Sequence, residues 1–164
     1  MAVDMFIKFE GITGGTKDKT LVGACDLLAY SWGMSQSGSF HTGGGGGAGK
    51  VHMQDISFTK YLDDASTALM IHCATGKHIP KATLTVRKAG GAPGTPAENE
   101  VVIEMTKVIV TSVSMGGSGG EDRFTENLTL NFAEVKYENF KQSDEGVSTS
   151  AGILTWDIAG HKGS

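Results

Sequence analysis

Three prolines in 164 residues are too few for a collagen-like or Pro-stiffened chain, and two cysteines too few for a disulfide scaffold. No apolar run approaches the about 20 residues that a membrane-spanning helix needs, which excludes membrane insertion by that route. A basic excess is missing too, since 14 Lys and Arg stand against 18 Asp and Glu for a formal net charge of −4. Without a basic footprint to displace counterions, a general affinity for nucleic acid is not expected. The stretch up to Glu10 has no basic leader, long apolar run or cleavage site, so the expectation is cytoplasmic synthesis without a secretory signal. Cys25 and Cys73 are far apart and form no C-x-x-C, and each reads as a small buried hydrophobe.

What the sequence does have is ordinary globular composition and an excess of glycine, 24 residues, about twice the usual share. Its length fits one domain over residues 1–164, able to bury roughly 70% of the unfolded chain's surface. The pattern is of strands broken by glycine clusters. Strands are predicted over 3–9, 24–34, 51–60, 81–88, 100–115, 123–137 and about 152–158, the last carrying Trp156. In 81–88 the alternation is clean, with Ala82, Leu84 and Val86 on one face and Thr83, Thr85 and Arg87 on the other, as in a half-buried antiparallel strand. Residues 116–120 join two long strands as a hairpin. The second arm is irregular, with Leu128, Leu130 and Phe132 at even positions and then Val135 and Tyr137 at odd ones. A strand that swaps its apolar face midway has a bulge or a different neighbour for each half.

One segment departs from β. Across 61–75, Leu62, Ala65, Leu69 and Cys73 recur at helical spacing, with Met70 widening a stripe that reads as core. Asp63 and Asp64 fall in the expected first turn, and Gly76 follows as the stop. The expected fold is thus mainly β, with one amphipathic helix packed on it.

Several stretches imitate catalytic motifs. Residues 44–51 nearly spell a P-loop, but Val51 stands where the magnesium-binding hydroxyl belongs, and a strand follows instead of a helix. Residues 116–120 match G-x-S-x-G in spelling, yet a strand follows and only His161 lies further on. The histidines at 41, 52, 72, 78 and 161 lack metal-ligand spacing. No enzymatic activity, cofactor or metal is expected from these residues.

The glycines have another use. Residues 35–50 form a loop long enough to be functional, and Phe40 and His41 in its middle point to order against something, the domain itself in a monomer or the next subunit in an assembly. Here the chain resembles a known family. The run 30–38 (Tyr-Ser-Trp-Gly-Met-Ser-Gln-Ser-Gly) with the glycine pentad and Gly49-Lys50-Val51 resembles the Hcp (haemolysin-coregulated protein) family, the tube proteins of bacterial type VI secretion. Residues 2–8, 57–61, 76–78, 84–91, 116–123 and 125–127 extend the likeness from residue 2 to about 138.

That resemblance implies a compact antiparallel β-barrel of two sheets with one packed helix. It implies a homohexamer whose rings stack into a hollow tube, working with sheath, baseplate and spike components. It also implies a cytoplasmic chain exported by type VI secretion without a cleaved signal, with effectors in its lumen. By the same resemblance, Ser37, Gly38, Phe40, His41, Gly43, Gly44, Gly45, Gly46, Gly47 and Lys50 belong to a protruding loop that reaches a neighbouring subunit or ring. Ser31 and Ser118 occupy small-residue positions that look toward the lumen. Three stretches depart from the family: Gly14-Gly15-Thr16, an inserted Pro-stiffened turn over 92–98, and the tail after Lys141. Read without the resemblance, the alternative is a monomeric barrel that binds a small apolar ligand.

Overall fold

The computed structural model describes residues 3–38, 40–41, 49–88, 98–142 and 148–163. In chain order the elements are β1 (Val3–Phe9), β2 (Cys25–Ser31), β3 (Met34–Ser35), β4 (His52–Met53), β5 (Ile56–Tyr61), α1 (Ser66–Thr75), β6 (Ile79–Lys88), β7 (Asn99–Gly116), β8 (Thr125–Gln142), β9 (Ser148–Asp157) and β10 (Lys162–Gly163). Six strands close on themselves in the order β1-β6-β7-β8-β5-β2, all pairs antiparallel. β9 and β10 continue the sheet outward from β8, and β3 and β4 form a separate two-stranded ribbon. The fold is the expected mainly-β barrel with one helix. Its interior is filled by Ile7, Ile56, Ile79, Leu84, Ile103, Met105 and Leu130, none more than 1% exposed.

The irregular strand is β8, and it does have a different neighbour for each half. Its residues 125–130 pair with β5 and its residues 134–142 with β9, while β7 runs beside it throughout. β7 makes the same switch: Ile103 and Met105 face the core, then Val108 and Val110. Between them Lys107 adopts φ 54°, a left-handed geometry that breaks the alternation by one residue.

The helix is shorter than expected, beginning at Ser66 instead of residue 61, because Tyr61 is the last residue of β5 and pairs with Thr125. Asp63 and Asp64 therefore precede the helix; Asp63 accepts a hydrogen bond from the Ala65 amide at 3.0 Å. Gly76, at φ 72°, ends the helix as expected, its N–H donating to the His72 carbonyl at 2.9 Å. Ala65 and Leu69 are fully buried, but Leu62 and Met70 are each 39% exposed, so the Met stripe is not core. Cys25 is buried, Cys73 half-buried, and both are free thiols.

On β6, Ala82, Leu84 and Val86 face the core as expected, but Thr85 and Arg87 on the other face are buried too. Asp18 and Thr20, in the loop before β2, meet Arg87 there. Arg87 stacks 4.7 Å from the centre of the Phe6 ring, donates to Thr20 Oγ1 at 2.7 Å and pairs with the Asp18 carboxylate. Asp18 also accepts from the Thr20 hydroxyl at 2.7 Å and from the amides of Thr20 and Leu21. The Thr20 hydroxyl, with those amides and Arg87, holds the Asp18 carboxyl down at about 2 against an ordinary 3.8. A depressed carboxylate contributes stability that is complete above its unfolded value and disappears as pH falls through its folded one. Asp18→Asn should therefore lower stability at pH 7 by about 1–3 kcal/mol, since Arg87 keeps its burial and loses a charged partner. The loss relative to the parent should shrink as pH falls from 3.8 to about 2, measurable by chemical unfolding across that range.

Candidate functional site

Because β5 and β8 turn Ile56, Phe58, Leu128 and Leu130 inward, the residues between them face outward. The register then aligns Ser31, Ser57, Thr129 and Ser112 in one row across β2, β5, β8 and β7. The next row is Ala29, Thr59, Asn127 and Ser114. Their polar groups satisfy one another. Thr59 donates to Asn127 Oδ1 at 2.6 Å, and Thr129 shares hydrogen bonds with Thr111 at 2.6 Å and Ser112 at 2.7 Å. Asn131 and Thr111 donate to Asp55 at 2.8 and 3.0 Å. A shallow hollow of about 150 Å³ lies over Ala29, bordered by Ser31, Ser57, Thr59 and Asn127.

Ser31 thus borders the hollow, while Ser118 lies in the turn beyond Gly116 at the other end of the strands. From Ser112, in the Ser31 row, to Gly116 is four residues, roughly 13 Å along β7. The two serines do not form one site. What connects them is a face of small uncharged side chains, which the sequence pattern did not single out.

The same four strands carry two open edges. β1 pairs only with residues 25–27 of β2, so 28–31 has β5 on one side and no strand on the other among the described residues. β6 pairs with β7 only as far as Val108, so among the described residues β8 is the one strand paired with residues 109–116, while α1 also packs on β7. Unpaired strand edges are templates for another chain.

At the Ser31 end the chain leaves the barrel as the β3–β4 ribbon, where unbroken strands over 24–34 and 51–60 were expected. The break comes at Trp32 and Gly33. Trp32 stacks on Tyr137, and its Nε1 donates to the Gln54 carbonyl at 3.0 Å. The Gln54 amide in turn donates to Gly33 O at 3.0 Å. Further out, the Gly49 amide donates to Ser37 O at 3.2 Å, and a Cβ at Gly49 would lie 2.0 Å from Ser37 Oγ, so a larger residue here would have to turn the Ser37 side chain aside. Ser37, Gly38, His41 and Lys50 are exposed and Phe40 is 85% exposed. Gly43, Gly44, Gly45, Gly46 and Gly47 lie outside the described residues, as do positions 92–97 of the inserted turn.

The nearest approach to a catalytic constellation is inside the barrel. Lys60 and Glu126, paired across β5 and β8, are fully buried and form an ion pair. Lys60 also donates to Asp63 at 2.7 Å and to Ser66 at 3.2 Å, and Ser66 donates to Glu126 at 2.8 Å. Burial alone would lower the Lys60 pKa, yet hydrogen bonds to Asp63 and Glu126 hold it above its ordinary value. For Asp63 burial acts upward, and the bonds from Lys60 outweigh it and keep the carboxyl low. A lysine held protonated cannot serve as base to Ser66. The cluster ties α1 to the barrel instead. Among the described residues there is no group of His, Cys, Asp and Glu that could hold a metal, and no helix long and apolar enough to cross a membrane.

The closed six-stranded barrel with its separate ribbon and one short helix is shared with solved proteins of type VI secretion. A solved structure described as a type six secretion system protein superposes with a TM-score of 0.90 at 25% identity, covering 99% of this chain and all of that one. Hcp1 from Salmonella typhimurium superposes with a TM-score of 0.79 at 32% identity over the full length of both chains. The family described as "Type VI secretion system effector, Hcp" matches residues 6–138. Protein hcp1 of Pseudomonas aeruginosa is 54% identical over 162 residues, 96% of each chain. The chain belongs to the Hcp family.

The buried cluster makes a prediction independent of assembly. Lys60→Met leaves the buried Glu126 and the half-buried Asp63 without their cation and should cost about 3–5 kcal/mol in chemical unfolding. Adding Glu126→Leu should restore part of that loss, because it removes one of the orphaned charges. A double variant less stable than the single one would rule this account out.

Proposed function

We propose that this chain is a structural subunit of the type VI secretion tube, six copies closing head-to-tail into a ring and rings stacking into a hollow tube. The observation that carries the reading is the pair of open edges, residues 28–31 of β2 and 109–116 of β7, on opposite sides of one four-stranded sheet. Two different edges that meet head-to-tail make a heterologous contact, and such a contact generates a ring when its rotation closes. Pairing them would continue the sheet from copy to copy and place the Ser31 row and the Ala29 row on one continuous face. With that face turned inward, the lumen is lined by small hydroxyl and amide side chains, and Ser31 and Ser118 stand at two levels along it. The exposed ribbon with Ser37, Gly38, Phe40, His41 and Lys50 reaches the next ring.

In this reading the chain has no catalytic role. Its partners are further copies of itself, effectors held in the lumen, and the sheath, baseplate and spike of the apparatus. It is made in the bacterial cytoplasm and leaves through the tube's own export route. The alternative of a monomeric barrel binding a small apolar ligand has little support, because the barrel's interior is occupied by its own side chains.

Native mass spectrometry of the purified chain at moderate salt tests the reading. The expected outcome is a dominant six-copy species. A persistent monomer at concentrations where stable interfaces assemble would sink the proposal.

A further inference from the structure

We propose that Asp55 is a register lock: through a chain of hydroxyls it fixes a β-bulge on β7 and so decides which residues of that strand face the lumen. The lumen part rests on the tube reading above; the lock does not. On β7, Val108 and Val110 are buried, and beyond them Val113 packs on the core. The inward side thus moves from even to odd positions, while Ser112 and Ser114 take the outward rows. One extra residue makes the change, since Val110 pairs with Leu130 and Ser112 with Thr129, leaving Thr111 between them. Little else holds the strand in that setting. β6 has ended at Val108, and the turn over 117–124 is long enough to absorb a one-residue slip at small cost. Val113 is only half-buried and Met115 is 49% exposed, so burial discriminates weakly between the two settings.

The hydroxyls discriminate strongly. Thr129 Oγ1, opposite the bulge, lies 2.6 Å from Thr111 Oγ1 and 2.7 Å from Ser112 Oγ, so both bulge side chains lie on its side of the sheet. Thr111 also donates to Asp55 Oδ2 at 3.0 Å, and the other carboxylate oxygen accepts from Asn131 at 2.8 Å. A carboxylate only accepts and each hydroxyl has one hydrogen, so the direction of the chain follows. Thr111 donates to Asp55, Thr129 donates to Thr111, and Ser112 donates to Thr129. The chain ends on a charge, which strengthens its last bond and polarises the others. Without the bulge, Thr111 would stand opposite Thr129 and Val113 opposite Asn127, with Met115 next on the same side. Two serines would leave the lumen wall and two apolar side chains would enter it.

The test reads thiol accessibility in a Cys73→Ser background, where the remaining Cys25 is buried. Val113→Cys and Ser114→Cys, each made singly, are treated with a water-soluble maleimide, and modification is followed by mass spectrometry. With Asp55 present, position 114 should react about tenfold faster than position 113. Asp55→Ala should reverse that order, and so should Thr111→Val, which keeps the side chain's shape and removes the hydroxyl. Asp55→Asn keeps an acceptor for Thr111 and should retain the parental order. Circular dichroism of each variant checks that the barrel is folded. An unchanged order in either folded variant, Asp55→Ala or Thr111→Val, overturns the lock. Equal rates at the two positions overturn it as well, because they mean fraying without a change of register. Native mass spectrometry of the parental chain is read alongside. Chains that form no rings overturn the tube reading and leave the lock to be judged by the rates alone.

Discussion

The structure depends on β8 being shared. A sheet that curls into a barrel must end with every interior backbone group paired, and here the closing seam is the β7–β8 hairpin meeting β5. β8 is 18 residues long and serves the barrel with its first half and β9 with its second. The inward side must change where the neighbour changes, which is why Phe132 gives way to Val135 and why Lys107 takes a left-handed conformation on the facing strand. The barrel, the β9 extension and the open edge of β7 all follow from that sharing.

Much of this was legible in the residues. The face swap between Phe132 and Val135 announced the change of neighbour, and Gly76 marked the helix end. The helix start was misread because Leu62 and Ala65 keep helical spacing by coincidence, while Asp63 turns the chain by hydrogen bonding to the Ala65 amide. The buried ion pair left a signal that went unused. Lys60 continues the inward alternation of Ile56 and Phe58, and Glu126 begins that of Leu128 and Leu130. Two opposite charges at inward positions of two strands are what a cross-strand pair looks like in sequence. Arg87 left no such signal, since its partner Asp18 sits 69 residues away in a loop.

The surfaces proposed for assembly were legible only in part. Phe40 and His41 in a glycine-rich loop pointed by their chemistry to an ordered contact, whereas Ser31 and Ser118 came from family likeness. The open edges could not be read at all, because an edge is defined by where a neighbouring strand stops. The exposed cleft past the end of β5 is likewise a product of tertiary approach: Leu62, Met115 and Phe124 come from three separate stretches, joined by the packing of one ring over Gly117.

The rows of hydroxyls have a consequence for friction. Thr59 with Asn127, and Thr129 with Thr111 and Ser112, hydrogen-bond one another at 2.6–2.7 Å, and Thr111 also donates to Asp55 at 3.0 Å. A surface hydrogen-bonded to itself offers a passing molecule few unmet groups to grip, and without a row of charges it holds no fixed counterions to drag. Something in contact with this face can exchange one water-mediated contact for an equivalent one a strand spacing further on, at little net change in free energy. Replacing a single hydroxyl there by a long charged side chain would turn a smooth track into one with a sticking point.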